Sequence, residues 1–339
     1  MLLKRSIIFM NIYEKSGYLD IEKILSLKQP FTFIVGGRGI GKTYGALKYA
    51  LEHQLRFILL RRTQTQTDLI NKPQFSPLKP LDPEISTKAI SKYNSAIMKD
   101  DKLLGYTAAL STISSMRGFD ASDVDLIIYD EFIPEKHERP IKHEATAFLN
   151  AYETINRNRE LQGKSPVQVL ALANAMDLAN PIFIELGIVN QVNNLIETGR
   201  SNIYLDRQRG LLCVICSGSP ISQQKQNTAL YRLTNKNEFA KMALDNDFAF
   251  EEIGIIRSAN LNEYRNIVTI GEITIYKHKS EKRYYVSEHK TGSGDEFSTG
   301  DVERIRFQKN YYYLWQNYLD YKIQFESYLC QVLFEKYFS

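Results

Sequence analysis

The stretch FTFIVGGRGIGKT at residues 31–43 limits what this chain can fold into more than any other. A short apolar run ends in a glycine-rich turn that closes on Lys42 and Thr43. The spacing fits G-x-x-x-x-G-K-[ST], with Gly36 and Gly41 as the fixed glycines. Glycine is needed because the backbone must turn with positive φ and bring its N–H groups close to phosphate oxygens. Gly36, Gly37, Arg38, Gly39, Gly41, Lys42 and Thr43 are therefore the expected nucleotide-binding residues. Lys42 is placed to reach the β- and γ-phosphates, and Thr43 to offer a hydroxyl to Mg²⁺. Residues 44–55 read as a helix whose positive end faces the anion.

Composition leaves room for two cores. Of 339 residues, 43% are hydrophobic and 24% charged, with 10 prolines. No apolar stretch reaches the ~18–20 residues of a membrane helix. The start, MLLKRSIIFM, imitates a secretion signal, but its apolar patch is short and no small-residue cleavage site follows, so a soluble cytoplasmic protein is expected. Three cysteines give no disulfide framework. Cys213 and Cys216 form a C-x-x-C without a second pair and read as buried strand residues. The net charge of +4 permits a nucleic-acid partner without arguing for one.

The second informative stretch is DLIIYDEF, residues 125–132. Its apolar run suits a strand buried on both faces of a parallel sheet, and it ends in Asp130 and Glu131. Asp130 can hold Mg²⁺ partly through its water shell, and Glu131 can orient or deprotonate a water attacking the γ-phosphate. VQVLALAN supplies another buried strand, whose end places Asn174 in the crevice where ligands of open α/β sheets bind. Between them residues 142–160 read as a helix running into NRNRE. Arg157 and Arg159 there either meet the negative pole of the helix or act as an arginine finger on a neighbouring subunit. Arg61 and Arg62 close a strand over residues 56–60 and fit a phosphate contact or a solvated strand end equally well.

Elsewhere the pattern is coarser. Residues 63–105 are polar and proline-punctuated and read as loops and short strands, before a strand over 102–110 and a polar loop carrying Arg117. The division expected is an ATPase domain over 1–198, a linker over 199–253 and a C-terminal domain over 254–339. Asn235, Lys236 and Glu238 approximate the guanine-reading N-K-x-D but end in the wrong acid. NIVTIGEITIYKHKSEKRYYVSEHK reads as a three-stranded meander, with Lys277, His278, Lys279, Lys282 and Arg283 at one turn. Those basic residues suit a charged hairpin tip or a contact to nucleic-acid phosphates. Tyr311, Leu314, Trp315, Tyr318, Phe325, Leu329 and Val332 recur near helical spacing in what reads as the last helix and are expected in the core.

Taken together, GGRGIGKT, LIIYDEF, NRNRE and LANA resemble, in this order, the phi29-like bacteriophage DNA-packaging (encapsidation) ATPases, relatives of the large terminases. The resemblance implies an ASCE-type P-loop NTPase sheet flanked by helices, then a small α+β domain similar to a vestigial RNase H-like nuclease. It implies a homomeric ring, a pentamer, docked on the portal of a procapsid in the host cytoplasm and translocating double-stranded DNA with ATP and Mg²⁺. Lys42 and Thr43 then bind nucleotide and metal, Asp130 is the metal-associated acid, Glu131 the catalytic base, Arg157 the trans-acting finger and Asn174 the sensor. Arg117 matches a basic position of the family and is a candidate DNA contact with Lys277, Lys279, Lys282 and Arg283. Some relatives attach to the portal through a structural RNA, which is a candidate partner too. Nuclease activity is not expected, because the first meander strand carries no carboxylate and Glu272 falls in a turn. Two other readings share the chemistry: a nucleic-acid-stimulated ATPase or helicase without a capsid partner, and a nucleotide-dependent assembly protein.

Overall fold

The computed structural model describes residues 5–116, 121–134, 141, 143–174, 180–225, 228–234, 259–320 and 322–338. The chain divides into two compact units, residues 1–247 and 248–339, each with its own sheet. No helix among the described residues is long and apolar enough to cross a membrane.

The first unit begins with β1 (Arg5–Ile8), α1 (Ile21–Leu25), β2 (Phe31–Gly36), α2 (Lys42–Glu52) and β3 (Phe57–Arg61). Then come α3 (Gln64–Ile70), β4 (Ser86–Ala89), β5 (Ser95–Lys99), β6 (Lys102–Ala109), β7 (Leu126–Asp130) and α4 (Glu144–Asn156). It continues through β8 (Gln168–Ala173), α5 (Pro181–Glu185), α6 (Val189–Thr198), β9 (Ile203–Asp206), β10 (Leu211–Cys216), α7 (Pro220–Lys225) and α8 (Ala229–Thr234).

The strands form one sheet in the order β1-β9-β10-β2-β8-β7-β3-β6-β5-β4. From β10 to β6 neighbours run parallel, and the strands added at either edge are antiparallel. The central strands β2, β7, β8 and β10 are buried along nearly their whole length, which is why they read as unbroken apolar runs rather than alternating ones. Successive side chains still leave by opposite faces. Ile34, Leu59, Ile128 and Leu172 pack with Ala46, Leu47 and Ala50 of α2 and Ile24 of α1. Phe33 points the other way, its ring 5.6 Å from both Phe132 and Phe183, in an aromatic cluster shared with Phe148 of α4. This is the expected P-loop α/β sheet, with antiparallel strands at both edges in addition.

Three local expectations are corrected. Residues 203–216, read as linker, are β9 and β10, and β10 pairs with β2 from Leu211↔Phe31 to Cys216↔Gly36. LLCVIC is apolar throughout, so only a place inside the sheet covers both its faces, and its cysteines are buried free thiols. Within the stretch read as loops and strands, α3 opens on a capping box in which Thr63 and Gln66 each satisfy the other's backbone N–H. The helix expected over 142–160 is shorter, because Arg157 leaves it with φ 47° and ψ −132°.

The second unit holds β11 (Tyr264–Ile270), β12 (Ile273–His278), β13 (Tyr284–Ser287), β14 (Asp295–Phe297), α9 (Asp301–Leu319), β15 (Ile323–Phe325) and α10 (Tyr328–Phe338). The three-stranded antiparallel meander is flanked on each side by a parallel strand, in the order β14-β11-β12-β13-β15. Val268, Ile275 and Val286 pack against Phe307, Leu314 and Phe334. Of the stripe, Tyr311, Leu314, Trp315, Tyr318, Phe325 and Leu329 pack in this core, over α9, β15 and α10 rather than along one helix.

Candidate nucleotide site

Four neighbouring parallel strands, β2, β8, β7 and β3, bring their carboxyl ends to one edge of the sheet. The register pairs Val35 with Ala173 and Leu172 with Asp130, so the glycine-rich loop, Asn174 and the acidic pair share one crevice. That edge is where open α/β sheets bind ligands. β8 stands between the loop strand and the acidic strand, which sets Asn174 beside both.

The loop passes into α2 through Gly41 at φ 91°, a conformation a side chain would oppose. Lys42 is buried, and its Nζ donates to Gly36 O at 2.8 Å, Gly37 O at 2.6 Å and Asn174 Oδ1 at 3.2 Å. Burial lowers its pKa from 10.5 to about 8. Thr43 Oγ1 lies 3.0 Å from both carboxylate oxygens of Asp130 and donates to them. Asp130 is 3% exposed, and burial pushes its pKa up while the Arg61 guanidinium opposes the shift. A buried carboxylate whose charge is only partly compensated, beside a hydroxyl, is an all-oxygen set suited to a hard divalent cation such as Mg²⁺.

Glu131 is the one residue of the pair whose side chain is half exposed. Its backbone is held at φ 60°, while the next residue is anchored by Phe132 N donating to Leu172 O and by the aromatic cluster. A left-handed non-glycine residue stores strain of about 1–3 kcal/mol, and here the turn aims the carboxylate at the crevice. Arg61 spans both acids, Nη2 at 2.9 Å from Asp130 and Nη1 at 2.6 Å from Glu131. Its guanidinium is therefore engaged by the chain's own carboxylates rather than by solvent or a phosphate, and sequence spacing gave no sign of this bridge. Arg62 is fully buried and bidentate with Glu144, Nε to Oε1 at 2.7 Å and Nη2 to Oε2 at 3.0 Å. A cavity of about 410 Å³ opens here, lined by Arg38, Gly39, Gly41, Lys42, Thr43, Tyr44, Asp130, Glu131, Ala173 and Asn174.

The arginines after α4 are not brought to this crevice. Asn156 Oδ1 accepts from Val167 N at 2.8 Å, which pins the end of α4 at the amino end of β8. The six residues of β8 then separate Arg157 from Asn174 by about 20 Å. Arg157 is exposed, with Nε donating to Thr154 O. Arg159 is absorbed by the fold, donating to the carbonyls of Ser122, Val124 and Ser165 beside Asp125. Arg117 and the guanine-like Asn235, Lys236 and Glu238 lie outside the described residues. In the second unit, Lys277, Lys279, Lys282 and Arg283 gather at the β12–β13 turn. His278 is buried and caps that turn, its Nδ1 accepting from Glu281 N at 3.0 Å, while Arg283 pairs with Glu281 at 3.0 Å.

Residues 13–298 match the sequence profile of the podovirus DNA encapsidation protein (Gp16). The chain belongs to that family. Within the Gp16 family, the DNA packaging protein of Bacillus phage phi29 is 31% identical over 245 residues, covering 69% of this chain and 67% of that protein. The solved bacteriophage Phi-29 viral genome packaging motor assembly is 20% identical and matches 97% of this chain and 99% of that one at a TM-score of 0.64. The Phi-28 gp11 DNA packaging motor, also 20% identical, matches 94% and 95% at 0.59. At that identity the two structures show a shared fold.

Proposed function

We propose that this Gp16-family protein is an ATP-driven motor subunit that moves double-stranded DNA into a procapsid as part of a homomeric ring. The observation that carries the reading is the convergence of Lys42, Thr43, Asp130 and Glu131 beneath one phosphate-binding loop. The loop N–H groups from Gly36 to Thr43 would hold the phosphates, with Lys42 leaving its carbonyl partners for their oxygens. Thr43 and Asp130 would hold Mg²⁺, partly through water. Bound there, the ion would neutralise charge on the β- and γ-phosphates. Glu131, steadied by Arg61, would orient the attacking water and take its proton. Asn174, bonded to Lys42, would sense whether the last phosphate is present.

Arg157 lies too far from its own crevice to act there, so we assign it to the crevice of a neighbour as the trans-acting finger. Arg159, engaged in backbone contacts, is assigned a structural role. The ring, which we take to be a pentamer, would dock on the portal in the host cytoplasm, with a structural RNA as a further candidate partner. Arg117, Lys277, Lys279, Lys282 and Arg283 are the proposed contacts to the DNA backbone, where grip should be sequence-independent and salt-sensitive. We assign the ATPase to the first unit and read the second as a vestigial RNase H-like domain without nuclease activity.

The test is ATP hydrolysis by the purified protein with and without double-stranded DNA and matched procapsids, scored by DNA protected from added nuclease. Protection that requires ATP and vanishes in Glu131→Gln is the expected result. Hydrolysis without protection, accompanied by strand separation, would replace this reading with a helicase.

A further inference from the structure

A second lysine touches the phosphate-binding loop, from an element remote in sequence. Lys225 ends α7, and its Nζ donates to Arg38 O and Gly39 O, both at 2.9 Å. Gly39 sits at φ 69°, and a Cβ there would fall 2.1 Å from the ammonium, so this glycine leaves room for the contact. Among the described residues no carboxylate is paired with Lys225, and burial lowers its pKa. Its element is tied down as well: Ser219 Oγ donates to Gly17 O at 3.2 Å, and Tyr13 Oη to Ser217 O at 3.1 Å.

The loop's carbonyls are thus shared between two ammonium groups. Lys42 takes those of Gly36 and Gly37 within the crevice, and Lys225, which is not among the residues lining the cavity, takes the next two. In a planar trans peptide the C=O and N–H point in opposite directions. Fixing the oxygens of Arg38 and Gly39 on Lys225 therefore turns the N–H groups of Gly39 and Ile40 away from it. A cation at the oxygen end also polarises each peptide so that its N–H becomes a stronger donor.

Resting on the nucleotide reading above, we infer that Lys225 is a positioning residue for the phosphates of the bound nucleotide: it holds the Arg38–Gly39 backbone from outside so that the loop meets the anion preformed. Lys225 acts on binding rather than on the chemical step, and it reads the phosphate part of the ligand rather than its base.

The experiment compares wild type with Lys225→Met, Lys225→Gln and Lys225→Arg, using ADP and inorganic pyrophosphate as separate probes in calorimetry, with ATP turnover and melting temperature alongside. Lys225→Met is expected to weaken ADP and pyrophosphate by the same factor, about tenfold or more, with kcat at saturating ATP changed less than about threefold. Lys225→Arg should recover most of the affinity. Unchanged affinity in Lys225→Met, or a loss that Lys225→Arg fails to restore at wild-type melting temperature, overturns the inference. Lys225→Gln keeps a donor without the charge and should fall between; it decides the matter where the Met variant does not fold. Wild-type protein that binds neither probe would remove the nucleotide reading itself, a result visible before any variant is made.

Discussion

Arg61 Nη1 donates to Glu131 Oε2 at 2.6 Å, and the same guanidinium reaches the buried carboxylate of Asp130. One cation therefore sets the direction of the exposed acid and offsets the charge of the hidden one. Arg61→Met should lower kcat about 100-fold with little change in ADP affinity, read by steady-state hydrolysis beside ADP titration. Arg61→Lys should recover little, because a single ammonium cannot span two carboxylates as a planar fork does.

Removing the carboxylate of Glu131 while keeping its shape tests the proposed proton-transfer role. Glu131→Gln should cost about 10²–10⁴ in kcat and leave ADP binding within a factor of about three. Comparable losses in both quantities would assign Glu131 to binding.

The pH dependence of binding follows from Lys42. Its pKa in the free protein is lowered to about 8, and phosphate oxygens would raise it again. Affinity for ADP should be flat below that value and decline as pH rises through it, because the free site loses the proton that the bound site keeps. Near pH 8 binding should take up about half a proton, measurable by calorimetry in buffers of different ionisation enthalpy. Affinity that rises with pH would reverse the assignment.

The bidentate pair of Arg62 and Glu144, with neither side chain more than 2% exposed, ties the end of β3 to the first turn of α4. Removing either partner leaves the other's buried charge without this bidentate compensation. Arg62→Ala or Glu144→Ala should cost about 3–5 kcal/mol in denaturant unfolding, and Arg62→Met with Glu144→Leu should cost less than the sum of the single changes.

The two arginines after α4 should separate by phenotype. Arg157→Ala should fold normally and hydrolyse ATP poorly, yet activate when mixed with subunits that carry Arg157. Arg159→Ala should lose about 1–3 kcal/mol of stability through the carbonyls it abandons. Glu131→Gln protein mixed with Arg157→Ala protein gives the decisive readout: activity independent of the mixing ratio would exclude action in trans.

Much of the crevice was legible because its signals are local. A glycine spacing, two apolar runs and the polar residues closing them give the loop, the acidic pair and Asn174 without knowledge of strand order. Arg61 and Lys225 were opaque for the opposite reason, since their partners lie 70 and 187 residues away in sequence. β10 misled differently. LLCVIC reads as strand-like, but the change of character into the polar SGSPISQQKQNT suggests a linker, whereas only the parallel register with β2 shows that the sheet extends beyond the loop strand. The Thr63–Gln66 capping box is by contrast a local T-x-x-Q signal that needs no tertiary contact.

If Arg157 serves a neighbour's crevice as proposed, its distance from Asn174 would give each subunit a head and a tail. An arginine at one margin and a crevice at the other fit together only when copies follow one another in the same sense. The two-fold pairing that most homo-oligomers adopt would set like margins face to face and leave both crevices untriggered. On the proposed trans role of Arg157, such a chain would be silent alone, silent as a symmetric pair, and competent only once a circuit closes, and the asymmetry of a single sheet would set the direction of that circuit.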